Sequence, residues 1–100
     1  MRVAGLEWDR VNTAHLAERD ITHDDVEAVC SQRVGSVLRA GRAGRGEWER
    51  FVLVGRVEDG DFVTVVLKPL GNARFRPITG WVSMPDERQR WHHSQRGKAR

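Results

Sequence analysis

A β-hairpin signal in the middle of the chain most constrains what this sequence can fold into. Two apolar stretches, residues 48–57 and 62–68, are separated by Asp59-Gly60. A type I′ turn needs positive φ at both central residues and therefore favours that dipeptide. The first stretch is apolar on both faces, which predicts an interior strand, whereas the second carries aliphatic residues at alternate positions. We therefore expect an antiparallel sheet built around this hairpin.

Caps and turn residues mark the elements on either side. Asp9 is a helix N-cap, and Thr22 with Asp25 forms a capping box. Pro77 puts the last strand at an edge or a bulge, and Ser83 is the expected cap of the final helix. The expected elements are a strand over 2–7, helices over 10–19 and from 22 to before 35, strands over 36–40, 48–57, 62–68 and 74–81, and a helix over 83–91.

This order predicts one α+β domain, with two N-terminal helices packed on a mainly antiparallel twisted sheet and a C-terminal helix. We place the domain at residues 1–93 and a basic, flexible tail at 94–100. No apolar run approaches the ~20 residues of a membrane helix, so we expect no membrane association. Cys30 is the only cysteine, which fits a reducing, cytoplasmic location.

The charge of the chain favours an anionic partner. The formal net charge is +3, and all Lys and Arg positions except Lys68 and Lys98 are arginine. The planar guanidinium fork binds phosphate through two parallel hydrogen bonds. The alternative is that this arginine content reflects only the composition of an arginine-rich genome.

The best candidate site lies on the last strand. Arg74 and Arg76 alternate with Phe75, so both arginines lie on the same sheet face, and Lys68 ends the preceding strand. Three cations on one face would hold a phosphodiester and stabilise the charge that builds on its phosphorus. Alternatively, they are solvated residues paired to Asp59, Asp61 or Glu87.

Other candidates are single residues. An imidazole exchanges protons near neutral pH, so His15 is a candidate acid–base group, although it shares a helix stripe with a core leucine. Glu87 is a candidate general base or an ordinary capping carboxylate. The adjacent pair His92-His93 points about 100° apart on a helix and lacks further ligands, so we expect neither metal nor cofactor. The substrate-binding candidates are Asn12, the glycine-loop arginines Arg42 and Arg45, and Trp81, which would stack on an unpaired base if it is not core.

Several motifs together resemble the BrnT toxins, and they span residues 6 to 91. The resemblance is carried by Leu6-Glu7-Trp8-Asp9, Asn12, His15-Leu16, Arg19, Ile21 and the acidic pair before Val26, then by Arg50-Phe51-Val52-Leu53-Val54-Gly55-Arg56, Glu58-Asp59-Gly60, Thr64-Val65-Val66, Arg74-Phe75-Arg76-Pro77-Ile78-Thr79 and Glu87-Arg88-Gln89-Arg90-Trp91.

The resemblance implies a RelE-like fold and a ribonuclease toxin. Such a toxin is neutralised by a cognate DNA-binding antitoxin in a complex that also represses the operon, which makes a homodimer or a hetero-oligomer the expected assembly. Cleavage would be metal-independent, by 2′-OH attack, with Arg74, Arg76 and Lys68 on the phosphate and His15 or Glu87 moving protons.

The chain departs from the family pattern in two places, and the first departure supports an alternative. Thr79-Gly80-Trp81 stands where the family commonly has Ser-Ala-Arg, so tryptophan replaces a cation. Arg19-Asp20 stands where the family has histidine-glycine. The alternative is a catalytically inactive relative that acts only through antitoxin binding and operon regulation.

Overall fold

The computed structural model describes residues 3–31, 36–40, 50–58 and 60–98, and side chains over the same ranges except 36–40 and 94–98. These residues confirm the α+β class, with three helices and a mixed sheet. The elements in chain order are β1 Gly5–Leu6, α1 Arg10–Ala17, α2 His23–Ser31, β2 Ser36–Ala40, β3 Arg50–Arg56, β4 Phe62–Gly71, β5 Arg74–Val82 and α3 Pro85–Lys98. No described helix has the length and apolar character needed to cross a membrane.

The sheet has the strand order β1-β5-β4-β3-β2. Neighbouring strands are antiparallel except β1 and β5, which pair in parallel through Gly5 with Arg74 and Leu6 with Phe75. The predicted hairpin joins β3 to β4, and β3 is an interior strand, as its two-sided apolarity predicts. Gly60 has a φ of 95° in the connecting turn, and Asp59 lies outside the described residues.

A second hairpin joins β4 to β5, and here the predicted end of β4 at residue 68 is wrong. The strand continues through Pro69 to Gly71, with a register irregularity between these two residues. The chain then turns through Asn72 and Ala73, with φ values of 55° and 61°. Both values are positive, as in a type I′ turn. The sequence signal of such a turn is missing, because alanine occupies the second central position, where glycine is preferred.

The N-terminal helices begin at the predicted caps. The Asp9 carboxylate accepts from the Asn12 backbone N–H at 2.9 Å, and the Asn12 side-chain oxygen accepts from the Asp9 N–H at 2.9 Å. Thr22 and Asp25 form the equivalent reciprocal pair at 3.1 Å. α1 ends at Ala17 rather than at residue 19, and Asp20 then takes a left-handed φ of 59°.

The last helix differs from the prediction at both ends. Met84, not Ser83, is the residue before the first turn, and its backbone N–H donates to Glu87 at 2.7 Å. Ser83 is buried, and its hydroxyl lies 2.7 Å from that of Thr64. The helix runs to Lys98 rather than ending at Trp91, so most of the segment expected to be a flexible tail is helical. These added turns are polar, so no apolar periodicity marks them.

The core lies between the sheet and the two N-terminal helices. Leu16, Ile21, Val26 and Val29 pack there against β3, β4 and β5; we call this side of the sheet the inner face. Gly80 allows β5 to lie close to both β4 and α1. A Cβ at that position would lie 2.9 Å from the Thr64 carbonyl oxygen and 3.2 Å from a Leu16 methyl.

The opposite side of the sheet, the outer face, is covered by α3 at one end. There the Phe62 ring meets the Trp91 ring edge-on, with centroids 4.9 Å apart. The other end of the outer face carries the charged residues of β4 and β5.

Candidate nucleic-acid interface

The pairing of β4 with β5 brings the predicted cations onto the outer face. Lys68 is directly opposite Arg76 in the ladder, and residues directly opposite one another project to the same side of a sheet. Arg74 lies two positions before Arg76 and therefore shares that side. We call Lys68, Arg74 and Arg76 the cationic face.

Both arginines of the cationic face have carboxylate partners. Arg76 forms an ion pair and a hydrogen bond with Asp9, and its side chain is 24% exposed. Arg74 lies 3.7 Å from the Glu7 carboxylate and is 56% exposed. The acidic partners expected from the sequence were Asp59, which lies outside the described residues, Asp61 or Glu87; the observed carboxylate partners of Arg74 and Arg76 come from the segment between β1 and α1.

The Asp9–Arg76 pair shifts the pKa of each side chain so that its charged form is favoured. Hydrogen bonding to Arg76 lowers the pKa of Asp9, and the Asn12 backbone N–H lowers it further. The same hydrogen bond raises the pKa of Arg76. Asp9 therefore has two roles, as the cap of α1 and as the partner of a β5 cation. A polyanion that uses Arg76 must compete with Asp9, whereas Arg74 has a looser partner and more solvent exposure.

His15 lies on α1 beside β5. Its Nε2 atom is 3.0 Å from the Thr79 hydroxyl, and its Nδ1 atom is 4.0 Å from the Glu18 carboxylate. The side chain is 43% exposed, so the ring is accessible to a ligand. The α1–β5 contact therefore places one imidazole beside the strand that carries Arg74 and Arg76.

Asn12 has a structural role. It is 2% exposed, and its amide nitrogen donates to the Glu7 and Pro77 carbonyl oxygens, at 3.0 Å each. With its oxygen bound to the Asp9 N–H, every polar atom of the side chain is engaged. The prediction that Asn12 binds substrate is therefore not supported by this geometry: the residue ties α1 to β5.

Glu87 is the centre of a polar network beneath α3. Its carboxylate accepts hydrogen bonds from the Thr64 hydroxyl at 3.0 Å, the Trp81 indole N–H at 3.0 Å and the Met84 backbone N–H at 2.7 Å. All three donors bond to the Oε1 atom, which ties the carboxylate to β4, β5 and the start of α3. Glu87 thus fits the alternative that the sequence left open, a capping carboxylate.

The remaining candidates divide by location. Arg42 and Arg45 fall within residues 41–49, outside the described residues. Cys30 is partly buried, and burial raises the pKa of its thiol to about 12, so the thiol stays protonated and unreactive near neutral pH. Within the described ranges, no group of three His, Cys, Asp or Glu side chains could hold a metal ion.

Comparison with known proteins adds no assignment. No family model matches the chain, and no curated protein matches it.

Proposed function

We propose that this protein is a ribonuclease toxin of a toxin–antitoxin pair, with a RelE-like arrangement of helices and sheet. The observation that carries the proposal is the cationic face: Lys68, Arg74 and Arg76 share the end of the outer face away from the contact between Phe62 and Trp91. The motifs that resemble the BrnT toxins run through the same strands, and this supports the choice of RNA over other polyanions.

In the proposed reaction the RNA supplies its own nucleophile. The ribose 2′-oxygen attacks the adjacent phosphorus, the bond from phosphorus to the 5′-oxygen breaks, and a 2′,3′-cyclic phosphate remains. Negative charge increases on the phosphoryl oxygens in the transition state, where Arg74 and Arg76 stabilise it, assisted by Lys68. His15 is the proton-exchanging group, taking the 2′-OH proton and returning it to the 5′-oxygen.

The partner in this proposal is a cognate DNA-binding antitoxin in the cytoplasm. The cationic face would attract an acidic segment of that partner. Occupation of the face would then block RNA binding and neutralise the toxin.

A second candidate function is supported by particular contacts. Arg76 is already paired with Asp9, Glu87 is engaged by three donors, and Trp81 replaces a cation of the family pattern. An inactive relative that only forms the antitoxin complex and regulates transcription would have these features.

Cleavage of a defined RNA separates the two candidates. Purified wild-type protein and the Arg74→Ala, Arg76→Ala and His15→Ala variants would be incubated with a labelled strand in EDTA, next to the same strand with 2′-deoxyribose throughout. The proposal expects cyclic-phosphate ends from the wild type, strong losses in all three variants, and no cleavage of the deoxy strand. RNA loss that is equal in all four proteins would indicate a contaminant and refute the proposal, whereas an intact RNA with retained antitoxin binding would favour the inactive relative.

A further inference from the structure

We infer that Trp81 is a fixed platform for one unpaired base, which makes single-stranded RNA the preferred substrate class. This inference rests on the proposed RNA binding at the cationic face. It adds an aromatic group on the same sheet face as the cations, together with a hydrogen-bond network that orients this group.

The first step of the argument is the position of Trp81. It is directly opposite Thr64 in the β4–β5 ladder, as Arg76 is opposite Lys68. The Thr64 side chain faces Glu87 of α3, so Trp81 and the cationic face lie on the same outer face. Lys68 follows Thr64 by four positions along β4, which corresponds to ~13 Å of extended strand. A short extended strand of RNA can span that distance.

The second step is the fixed orientation of the indole. Trp81 Nε1 donates to both oxygens of Glu87, at 3.0 and 3.3 Å. The same carboxylate is held by the hydroxyl of Thr64, a fully buried residue, and by the Met84 backbone N–H. The ring is therefore anchored at its polar edge before any ligand arrives, which reduces the entropy lost on binding.

The third step is accessibility. Trp81 is only partly buried, and nearby Met84 is 59% exposed, so the indole is not sealed into the core as Trp91 is. Base–aromatic stacking tolerates any base, because each has a π face. In a duplex those faces are covered by neighbouring base pairs, so the platform selects single strands.

Glu87 is a positioning residue in this arrangement, since it acts through the indole N–H. Three donors bond to its Oε1 atom and only the indole also reaches Oε2, so glutamine would keep the main contacts, whereas alanine removes both acceptor oxygens. The indole would lose its fixed orientation while the cationic face stays intact.

Binding to uncleavable strands tests the inference. The probes are a 2′-O-methyl single strand, a strand of the same length with abasic 2′-O-methyl sugars throughout, and a 2′-O-methyl duplex. We expect Trp81→Ala to bind the base-bearing strand about 5-fold or more weakly, to bind the abasic strand like the wild type, and to lose the preference for single strand over duplex. Trp81→Phe keeps a ring but lacks the N–H that Glu87 accepts, so it should recover only part of the affinity.

The Glu87→Ala variant separates positioning from folding. We expect it to weaken binding of the base-bearing strand in the wild-type background and to have no such effect in the Trp81→Phe background, which lacks the indole N–H. Thermal melting of each variant checks the fold. Equal losses of affinity for the base-bearing and the abasic strand in Trp81→Ala would overturn the inference.

The same probes keep this inference distinct from the proposed function. None of them can be cleaved, so the result does not depend on whether the protein is a nuclease. The abasic strand reports the cationic face without the platform, and its binding should fall in Arg74→Ala. If the abasic strand binds Arg74→Ala as tightly as it binds the wild type, then the cationic face does not bind RNA. The inference would then lose its basis, whatever the result for Trp81→Ala.

Discussion

The Asp9→Asn variant gives a direct test of the cationic face. Asparagine caps a helix about as well as aspartate, so the start of α1 should survive. The substitution removes the carboxylate that pairs with Arg76 and raises the formal net charge from +3 to +4. We therefore expect Asp9→Asn to bind single-stranded RNA more tightly than the wild type does.

The size of the effect follows from counterion release. Each additional phosphate contact steepens the plot of log affinity against log salt concentration by about 0.7 for a single strand. Suppose that Arg76 gains one phosphate contact in the variant. Raising the salt concentration from roughly 50 to 200 mM then lowers the affinity of the variant about 2.6-fold more than that of the wild type. Fluorescence anisotropy of a labelled 2′-O-methyl strand at several salt concentrations measures both slopes.

Asp24→Asn is the matched control. It changes the net charge equally, but Asp24 lies in the first turn of α2, the helix packed on the inner face. We expect a smaller change of slope in this variant. An Asp9→Asn slope no steeper than the Asp24→Asn slope would mean that Arg76 does not contact RNA, and the proposed site would fail.

Three further predictions concern stability. Ala73→Gly should raise the free energy of unfolding by about 1 kcal/mol, because a left-handed residue with a Cβ carries a cost of that order. Chemical denaturation would compare this variant with Ala14→Gly on helix α1, which should be destabilised instead. A loss of stability in both variants would contradict the left-handed turn. Gly80→Ala should lower the free energy of unfolding by about 1–3 kcal/mol, because the new methyl group would press on the Thr64 carbonyl; an unchanged melting temperature would contradict the close approach. The lowered folded-state pKa of Asp9 stabilises the fold at pH values above the ordinary aspartate pKa of 3.8, and this contribution is lost as the pH falls through the folded pKa. The difference in melting temperature between wild type and Asp9→Asn should therefore shrink in acid, and a difference independent of pH would argue against the ion pair.

The sequence predicts those parts of the fold that depend on neighbouring residues. The capping pairs at Asp9 and Thr22 and the β3–β4 hairpin involve contacts only a few positions apart, so their patterns are visible in the chain itself. The Asn72-Ala73 turn is equally local, but it lacks the glycine that would have marked it.

The acidic partners of the candidate site could not be predicted in this way. Glu7 and Asp9 reach Arg74 and Arg76 only because β1 pairs in parallel with β5, and no local pattern encodes a pairing between segments so distant in sequence. Which face carries cations can be read from alternation along β5. The identity of the carboxylates that pair with those cations can be determined only from the tertiary structure.

The pairing of β1 with β5 also bears on the order in which the protein is made. Synthesis proceeds from the N-terminus, so Gly5 and Leu6 leave the ribosome long before Arg74 and Phe75, the residues with which they pair. A growing chain consequently carries the two carboxylates well ahead of their arginines. Under the proposed function, the cationic face that binds RNA would form only after β5 has been synthesised.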